Sequence, residues 1–332
     1  MSLLPKSNKT KPLLSVENLN TFFFTTRGVV KAVNNVSFTL KAGETLGVLG
    51  ESGSGKSVMA LSILRLVQGP AGKIVGGKIF LDGRDLLKIS EGQMREYRGK
   101  IISMILQDPL TSLNPVFTIG KQVAESVRIH RFGEGSIRDQ IFDLLKRVGI
   151  SDPETRMNAY PHQFSGGMRQ RVVGAIAVAS NPKLLIADEP TTSLDVTIQA
   201  QYLRLLKNLQ RQSNLGILFI THDLGVAAKI CDRVAVMYCG QILEEANVED
   251  LFDKPAHPYT RGLINSLPQL HTRVEHLNSI PGQPPTPANL PPGCPFEPRC
   301  SEAKTICKSK IPPEVKLSHN HRVSCWLHSE DD

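Results

Sequence analysis

Short alternating stretches fill the first part of the chain and predict strands. Between residues 14 and 46 the clearest is Val36-Ser37-Phe38-Thr39-Leu40, where apolar and polar side chains alternate until Lys41-Ala42-Gly43. A period of two marks a half-buried strand. A compact apolar run at 46–49 then enters a glycine-rich turn and a helical stretch over 58–67. Strand, glycine turn and helix open a βαβ unit. Two later runs, 184–187 and 217–221, read as buried strands leading straight into acidic or histidine residues. Parallel strands deliver functional groups at their C-terminal ends in this way. Between them, 197–212 predicts an amphipathic helix with Ile198, Tyr202, Leu205, Leu206 and Leu209 on one side, a stripe that fits core packing.

Residues 109–180 are richer in helical patterns and interrupt the strand series, which predicts an inserted helical subdomain. After about residue 255 the texture changes. Pro281, Pro284, Pro285, Pro287, Pro291 and Pro292 crowd together and predict a stiff, extended linker. With 332 residues there is room for one large domain and a smaller appendage. The expected division is a main domain over 12–262 and a C-terminal extension over 263–332. The architecture expected is α/β, with an antiparallel β subdomain, the helical insertion and a small Cys-rich extension.

Composition narrows the class. Hydrophobic residues at 40% and charged residues at 21% describe a folded soluble protein. No run approaches the roughly 18 apolar residues that span a bilayer, and residues 1–11 lack an apolar signal core. A chain kept in the cytoplasm is expected. The net charge of +8 is spread without a Lys/Arg block or interleaved aromatics, so no nucleic-acid partner is expected. Of six cysteines, Cys231 and Cys239 sit in or beside an apolar segment and read as core residues. Cys294, Cys300, Cys307 and Cys325 cluster near the C-terminus, a pattern that in a cytosolic protein points to a metal more than to disulfides.

The candidate chemistry begins with Gly50-Glu51-Ser52-Gly53-Ser54-Gly55-Lys56-Ser57, which fits the phosphate-loop pattern G-x-x-x-x-G-K-[ST]. Glycines let the backbone curl so that successive N–H groups face phosphate oxygens, and the following helix adds its positive end. Lys56 supplies a mobile cation for the β- and γ-phosphates of ATP, and Ser57 a hydroxyl for Mg²⁺. The strand at 184–187 ends in Asp188 and Glu189. Asp188 is suited to holding Mg²⁺, and Glu189 to polarising an attacking water as general base.

A further element names a family. Phe164-Ser165-Gly166-Gly167-Met168-Arg169-Gln170-Arg171 resembles the signature loop of the ABC ATPases, and the resemblance spans roughly residues 14–263. Ser165 can cap the following helix, and Gly166 and Gly167 permit close backbone approach. The resemblance implies that this loop receives the γ-phosphate of an ATP held by a second, related ATPase subunit, giving a heterodimer. Gln107, before Asp108-Pro109, resembles the Q-loop residue that contacts Mg²⁺ and water. Ser193-Leu194-Asp195 resembles the D-loop that crosses the dimer interface, and Thr221-His222-Asp223 carries the equivalent of the switch histidine. Phe23 is the choice for the aromatic that stacks on adenine, with Phe22 and Phe24 flanking it. Every motif is intact, so hydrolysis by this chain is expected.

Gln107-Asp108-Pro109-Leu110-Thr111-Ser112-Leu113-Asn114-Pro115, Tyr160-Pro161-His162-Gln163, His257-Pro258-Tyr259-Thr260 and Cys294-Pro295-Phe296-Glu297-Pro298-Arg299-Cys300 resemble the oligopeptide/dipeptide permease branch. That branch implies import of peptides, with nickel complexes or other solutes as the alternative. A soluble ABC ATPase outside transport is the competing class, and it usually carries two cassettes or coiled-coil insertions. The implied partners are two transmembrane permease subunits and, indirectly, an extracytoplasmic solute-binding protein. The implied location is peripheral, on the cytoplasmic face of the inner membrane. The four late cysteines are spaced C-x5-C-x6-C-x17-C, wider than zinc knuckles. The branch implies a [4Fe–4S] cluster there, and Zn²⁺ is the alternative.

Overall fold

The alternation near the N-terminus closes into a small antiparallel sheet. A computed structural model of the chain describes residues 11–130, 135–267 and 279–329. Strand β1 (Leu14–Thr25) turns at Thr26-Arg27 into β2 (Gly28–Leu40), pairing Leu14 with Leu40 and Val16 with Phe38. Leu14, Val16, Leu19, Val36, Phe38 and Leu40 are all buried, so the period of two sets one apolar face. After β3 (Thr45–Leu49), β4 (Gly72–Leu81) pairs with the free side of β1, and the short β5 (Arg84–Asp85) completes the order β2-β1-β4-β5.

The larger sheet starts from β3 and adds β6 (Ile102–Ile105), β7 (Leu184–Asp188), β8 (Gly216–Thr221) and β9 (Arg233–Tyr238). It continues with β10 (Gln241–Asn247), β11 (Glu314–Ser318) and β12 (His321–Ser324). Their order is β11-β12-β10-β9-β3-β8-β7-β6, parallel from β9 to β6 and antiparallel beyond. Every residue of β3, β7 and β8 is buried, as expected for parallel strands covered on both faces. The helices Ile119–His130, Ile137–Arg147 and Gly166–Val178 lie between β6 and β7 in sequence. Val123, Leu145 and Val172 from these helices join one apolar cluster with Leu185, Ile217 and Val234 of the sheet.

One expectation is corrected here. The helix after the glycine turn runs Lys56–Ile63 and stops short of residue 67. Arg65 takes a left-handed conformation, and the Arg98 guanidinium donates to the carbonyls of Leu64 (2.8 Å) and Arg65 (3.2 Å). Those carbonyls are thereby satisfied from outside the helix. The C-terminal residues join the central sheet and the core. β12 pairs with β10 through Glu244 and Val323, and Cys294, Phe296, Cys307 and Trp326 belong to the main apolar cluster. Among the described residues no helix is long and apolar enough to cross a membrane.

Charged side chains fasten these layers. Arg233 on β9 bonds Glu44 (2.6 Å) and Glu245 of β10, and reaches toward the Thr39 carbonyl of β2. Arg322 on β12 shares Glu245 and donates to the Ser37 carbonyl at 2.6 Å. Removing one member of a largely buried pair strands its partner's charge. We therefore expect Arg233→Ala to lose about 3 kcal/mol of folding stability, read from the midpoint of urea unfolding.

Candidate functional site

Parallel register brings the site together. Leu49 lies opposite Thr221, and Asp188 opposite Ile220, so three strands end side by side. The chain leaving β3 forms the loop Gly50 to Ser57 before the helix. A Cβ on Gly55, where φ is +103°, would land 2.1 Å from the Ala32 carbonyl, and one on Gly50 would land 2.1 Å from that of Met237. Only glycine fits this close passage. Ser52 and Gly53 are exposed at the tip, while Ser54 is buried, its carbonyl accepting the Gly240 N–H at 2.8 Å. Lys56 is buried and folds back over its own loop, donating to the carbonyls of Gly50 and Glu51 at 2.8 Å and toward Ser54 Oγ at 3.4 Å. Burial lowers its pKa against the opposing pull of Glu189, Asp188 and Glu51.

The two carboxylates at the end of β7 differ in setting. Asp188 is buried, which raises its pKa; a hydrogen bond with Ser57 and the Lys56 charge act the other way. Its Oδ1 has no hydrogen-bond partner. An unpartnered carboxylate oxygen beside a hydroxyl suits a hard divalent cation such as Mg²⁺. Glu189 has a left-handed backbone (φ +47°), a costly conformation outside glycine, with its N–H held by the Ile220 carbonyl at 2.9 Å. Three side chains converge on its carboxylate. Gln107 Nε2 donates to Oε2 at 2.9 Å, Thr192 Oγ1 donates to Oε2 at 3.2 Å, and His222 Nδ1 lies 3.3 Å from Oε1. These residues, with Gly50 and Glu51, line a cavity of about 460 Å³.

The remaining candidates lie outside that lining. Ser165 accepts the Met168 N–H at 3.3 Å and caps the helix Gly166–Val178. A Cβ on Gly166 would meet open space, whereas one on Gly167 would strike Ile198 at 2.4 Å. Ile198 belongs to the helix Val196–Ser213, which Asp195 caps through the N–H groups of Thr197 and Ile198 at 3.0 Å. Ser165 and Asp195 therefore stand at neighbouring helix starts. Phe23 is half-buried on β1 and packs against Gly72 of β4.

Three residues of the cavity region were not singled out from the sequence as site residues. Thr192 follows Glu189 by three positions and bonds it. Arg299 grips Glu51 through both oxygens (3.1 and 3.0 Å), and the Tyr259 hydroxyl accepts the Glu51 N–H at 3.1 Å. Arg299 and Tyr259 stood in the sequence only as parts of branch motifs, with no local signal of a partner more than 200 residues away.

The expected metal ligand set of Cys294, Cys300, Cys307 and Cys325 is not assembled. Among the described residues no three or more His, Cys, Asp or Glu side chains are grouped so as to hold a metal ion. Cys294 and Cys307 pack into the main core with Cys300 at its margin, while Cys325 packs with Ala256 and Val323. All four are free thiols. Burial pushes Cys294 up to about 12, and the charges of Cys307, Cys325 and Cys300 add to the rise. The thiols thus share one electrostatic neighbourhood, and four soft donors of this kind fit a soft metal by their chemistry.

A thiol titrating near 12 stays protonated at neutral pH. Alkylation of Cys294 in the metal-free folded chain is expected to climb about tenfold per pH unit from pH 7 to 10, whereas an ordinary cysteine levels off near 9. Peptide mapping of the labelled residue checks this, and a plateau near pH 9 contradicts it.

The chain is similar to known proteins in sequence and in fold. The family model of the ABC transporters matches residues 33–192, and that of the oligopeptide/dipeptide transporter C-terminal region matches residues 243–307. The oligopeptide transport ATP-binding protein AppD of Bacillus subtilis is 50% identical over 320 residues, 96% of this chain and 98% of AppD. The oligopeptide transport ATP-binding protein OppD of the same organism is 51% identical over 95% of this chain and 88% of its own length. Among solved structures, the dimeric post-hydrolysis state of the ATP-binding cassette MJ0796 bound to ADP and Pi superposes with a TM-score of 0.63 at 27% identity. That match covers 71% of this chain and 98% of the cassette.

Proposed function

We infer the function from kinship: the chain belongs to the ABC transporter family, in its oligopeptide/dipeptide branch. It is the ATP-binding subunit of a peptide importer, hydrolyses ATP and works with membrane permease components. The loop from Gly50 through Glu51, Ser52, Gly53, Ser54, Gly55 and Lys56 to Ser57 holds the phosphates. Its N–H groups and the Lys56 ammonium supply the counter-charge. Ser57, Asp188 and Gln107 hold Mg²⁺, which neutralises charge on the phosphate oxygens when bound. Glu189 takes the proton of the attacking water, and Gln107 and His222 hold its carboxylate for that task. Phe23 stacks on adenine. The observation that carries this reading is the convergence of Gln107, Thr192 and His222 on Glu189 at the mouth of the Lys56 loop.

Ser165, Gly166, Gly167 and Asp195 serve the other half of the reaction. They face a second, related ATPase subunit and complete its ATP site, so that two ATP molecules close the heterodimer and hydrolysis reopens it. Their support is the open space at Gly166 and the adjacency of the two capped helix starts. The pair drives two transmembrane permease subunits from the cytoplasmic face of the inner membrane, and a solute-binding protein delivers peptide from outside. The ATPase unit is taken as residues 12–262, and 263–332 carries the four cysteines. Cys294, Cys300, Cys307 and Cys325 are the ligands proposed for a [4Fe–4S] cluster, supported by their soft-donor chemistry and by the electrostatic coupling of Cys294 to the other three.

Two measurements test these assignments. Glu189→Gln is expected to cut steady-state ATP hydrolysis by about 10²–10⁴-fold while ATP still binds and a closed dimer accumulates on gel filtration. Normal turnover in that variant removes Glu189 as the base. Anaerobic purification is expected to give about four irons and four sulfides per chain, lost on Cys300→Ser. Stoichiometric zinc without iron, or neither metal, overturns the cluster.

A further inference from the structure

Glu51 sets an electrostatic problem at the mouth of the phosphate loop. It is the second residue of a loop built to wrap a polyanion, and a free carboxylate there repels that polyanion at short range. Its side chain is about a quarter exposed (28%), so water screens it only in part. The answer comes from the far end of the chain. Arg299 spans both Glu51 oxygens from the short turn Glu297–Arg299, 248 residues away in sequence.

The guanidinium is itself held fast before it meets Glu51. Only 6% of the Arg299 side chain is exposed. Its Nε donates to the Pro281 carbonyl at 3.0 Å, its Nη2 to the Ile280 carbonyl at 3.4 Å, and its Nη1 also reaches the Tyr238 hydroxyl at 3.3 Å. Tyr238, Tyr259 and Phe296 pack ring to ring behind it at 4.6 to 5.4 Å. From that aromatic wall Tyr259 takes the backbone N–H of the same Glu51. Side chain and backbone of one loop residue are therefore both fixed by C-terminal residues, while the Glu51 carbonyl accepts from Lys56. Both bonds to Glu51 come from Nη1, and charge-assisted bonds made by a guanidinium already held through Nε and Nη2 are the kind that hold geometry.

We propose that Arg299 is a positioning residue for ATP binding: it neutralises and pins Glu51, so that the loop meets the polyphosphate without an opposing free carboxylate. This rests on the ATPase reading above. It also makes the C-terminal residues part of the nucleotide site rather than a distal tail.

The test separates this role from that of a strut holding the C-terminal segment. ATP affinity, and kcat and KM for hydrolysis, are measured on the full chain. The proteins compared are wild type, Arg299→Ala, Arg299→Lys and the double variant Arg299→Ala with Glu51→Gln. Arg299→Ala is expected to weaken ATP binding about tenfold, mostly through KM, because Glu51 is left uncompensated. Arg299→Lys recovers part of that loss. The decisive arm is the double variant: removing the stranded charge restores affinity to within about threefold of wild type. Unchanged affinity in Arg299→Ala overturns the proposal. So does a loss that Glu51→Gln fails to relieve, which leaves Arg299 as a strut alone. A wild-type chain that does not bind ATP overturns the ATPase reading and the proposal with it.

Discussion

The side-by-side ends of β3, β8 and β7 are the constraint on which the site depends. Leu49 opposite Thr221 and Asp188 opposite Ile220 place the phosphate loop, His222 and Glu189 around one cavity. A slip of one residue in any of these strands would turn its side chains to the other face. All three strands are buried throughout, so a slip would also disturb packing on both faces of the sheet. The left-handed backbone of Glu189 belongs to the same arrangement, since its N–H is fixed to the Ile220 carbonyl of the neighbouring strand.

Around that frame the charges are arranged for binding rather than for self-sufficiency. Lys56 is pushed toward neutrality by burial, and Asp188 toward protonation by the same cause. Lys56 spends its donors on loop carbonyls, and one Asp188 oxygen has no partner. A polyphosphate with a divalent cation answers both: it replaces weak carbonyl contacts to the lysine and gives the carboxylate a counter-charge. Glu51 is the exception, already neutralised from within the chain by Arg299.

The C-terminal residues contribute more to the body of the protein than their position in the chain implies. Two strands lengthen the central sheet, Arg322 ties them to β2 and β10, and Phe296 and Trp326 enter the main apolar cluster. Cys294 and Cys307 are buried there with them. Burial is what raises the Cys294 thiol, and packing places the four sulfurs in two clusters rather than in a closed ligand set.

Local signals were enough for much of this protein. Alternation marked β2, apolar runs marked β3, β7 and β8, and the glycine spacing of residues 50–57 marked the turn that approaches Ala32 and Met237. Helix 197–212 was legible from its stripe, and the observed element runs Val196–Ser213 with Tyr202, Leu206 and Leu209 buried. In each case a period, a glycine or a cap acts within a few residues, which a linear pattern can carry. The early end of the helix Lys56–Ile63 was not legible, because it depends on Arg98 reaching carbonyls more than thirty residues back. Nor was the hold of Arg299 and Tyr259 on Glu51, or the joining of β12 to β10. Those contacts are set by sheet order and by the packing of Tyr238, Tyr259 and Phe296, which bring distant residues within hydrogen-bond reach only once the chain has folded.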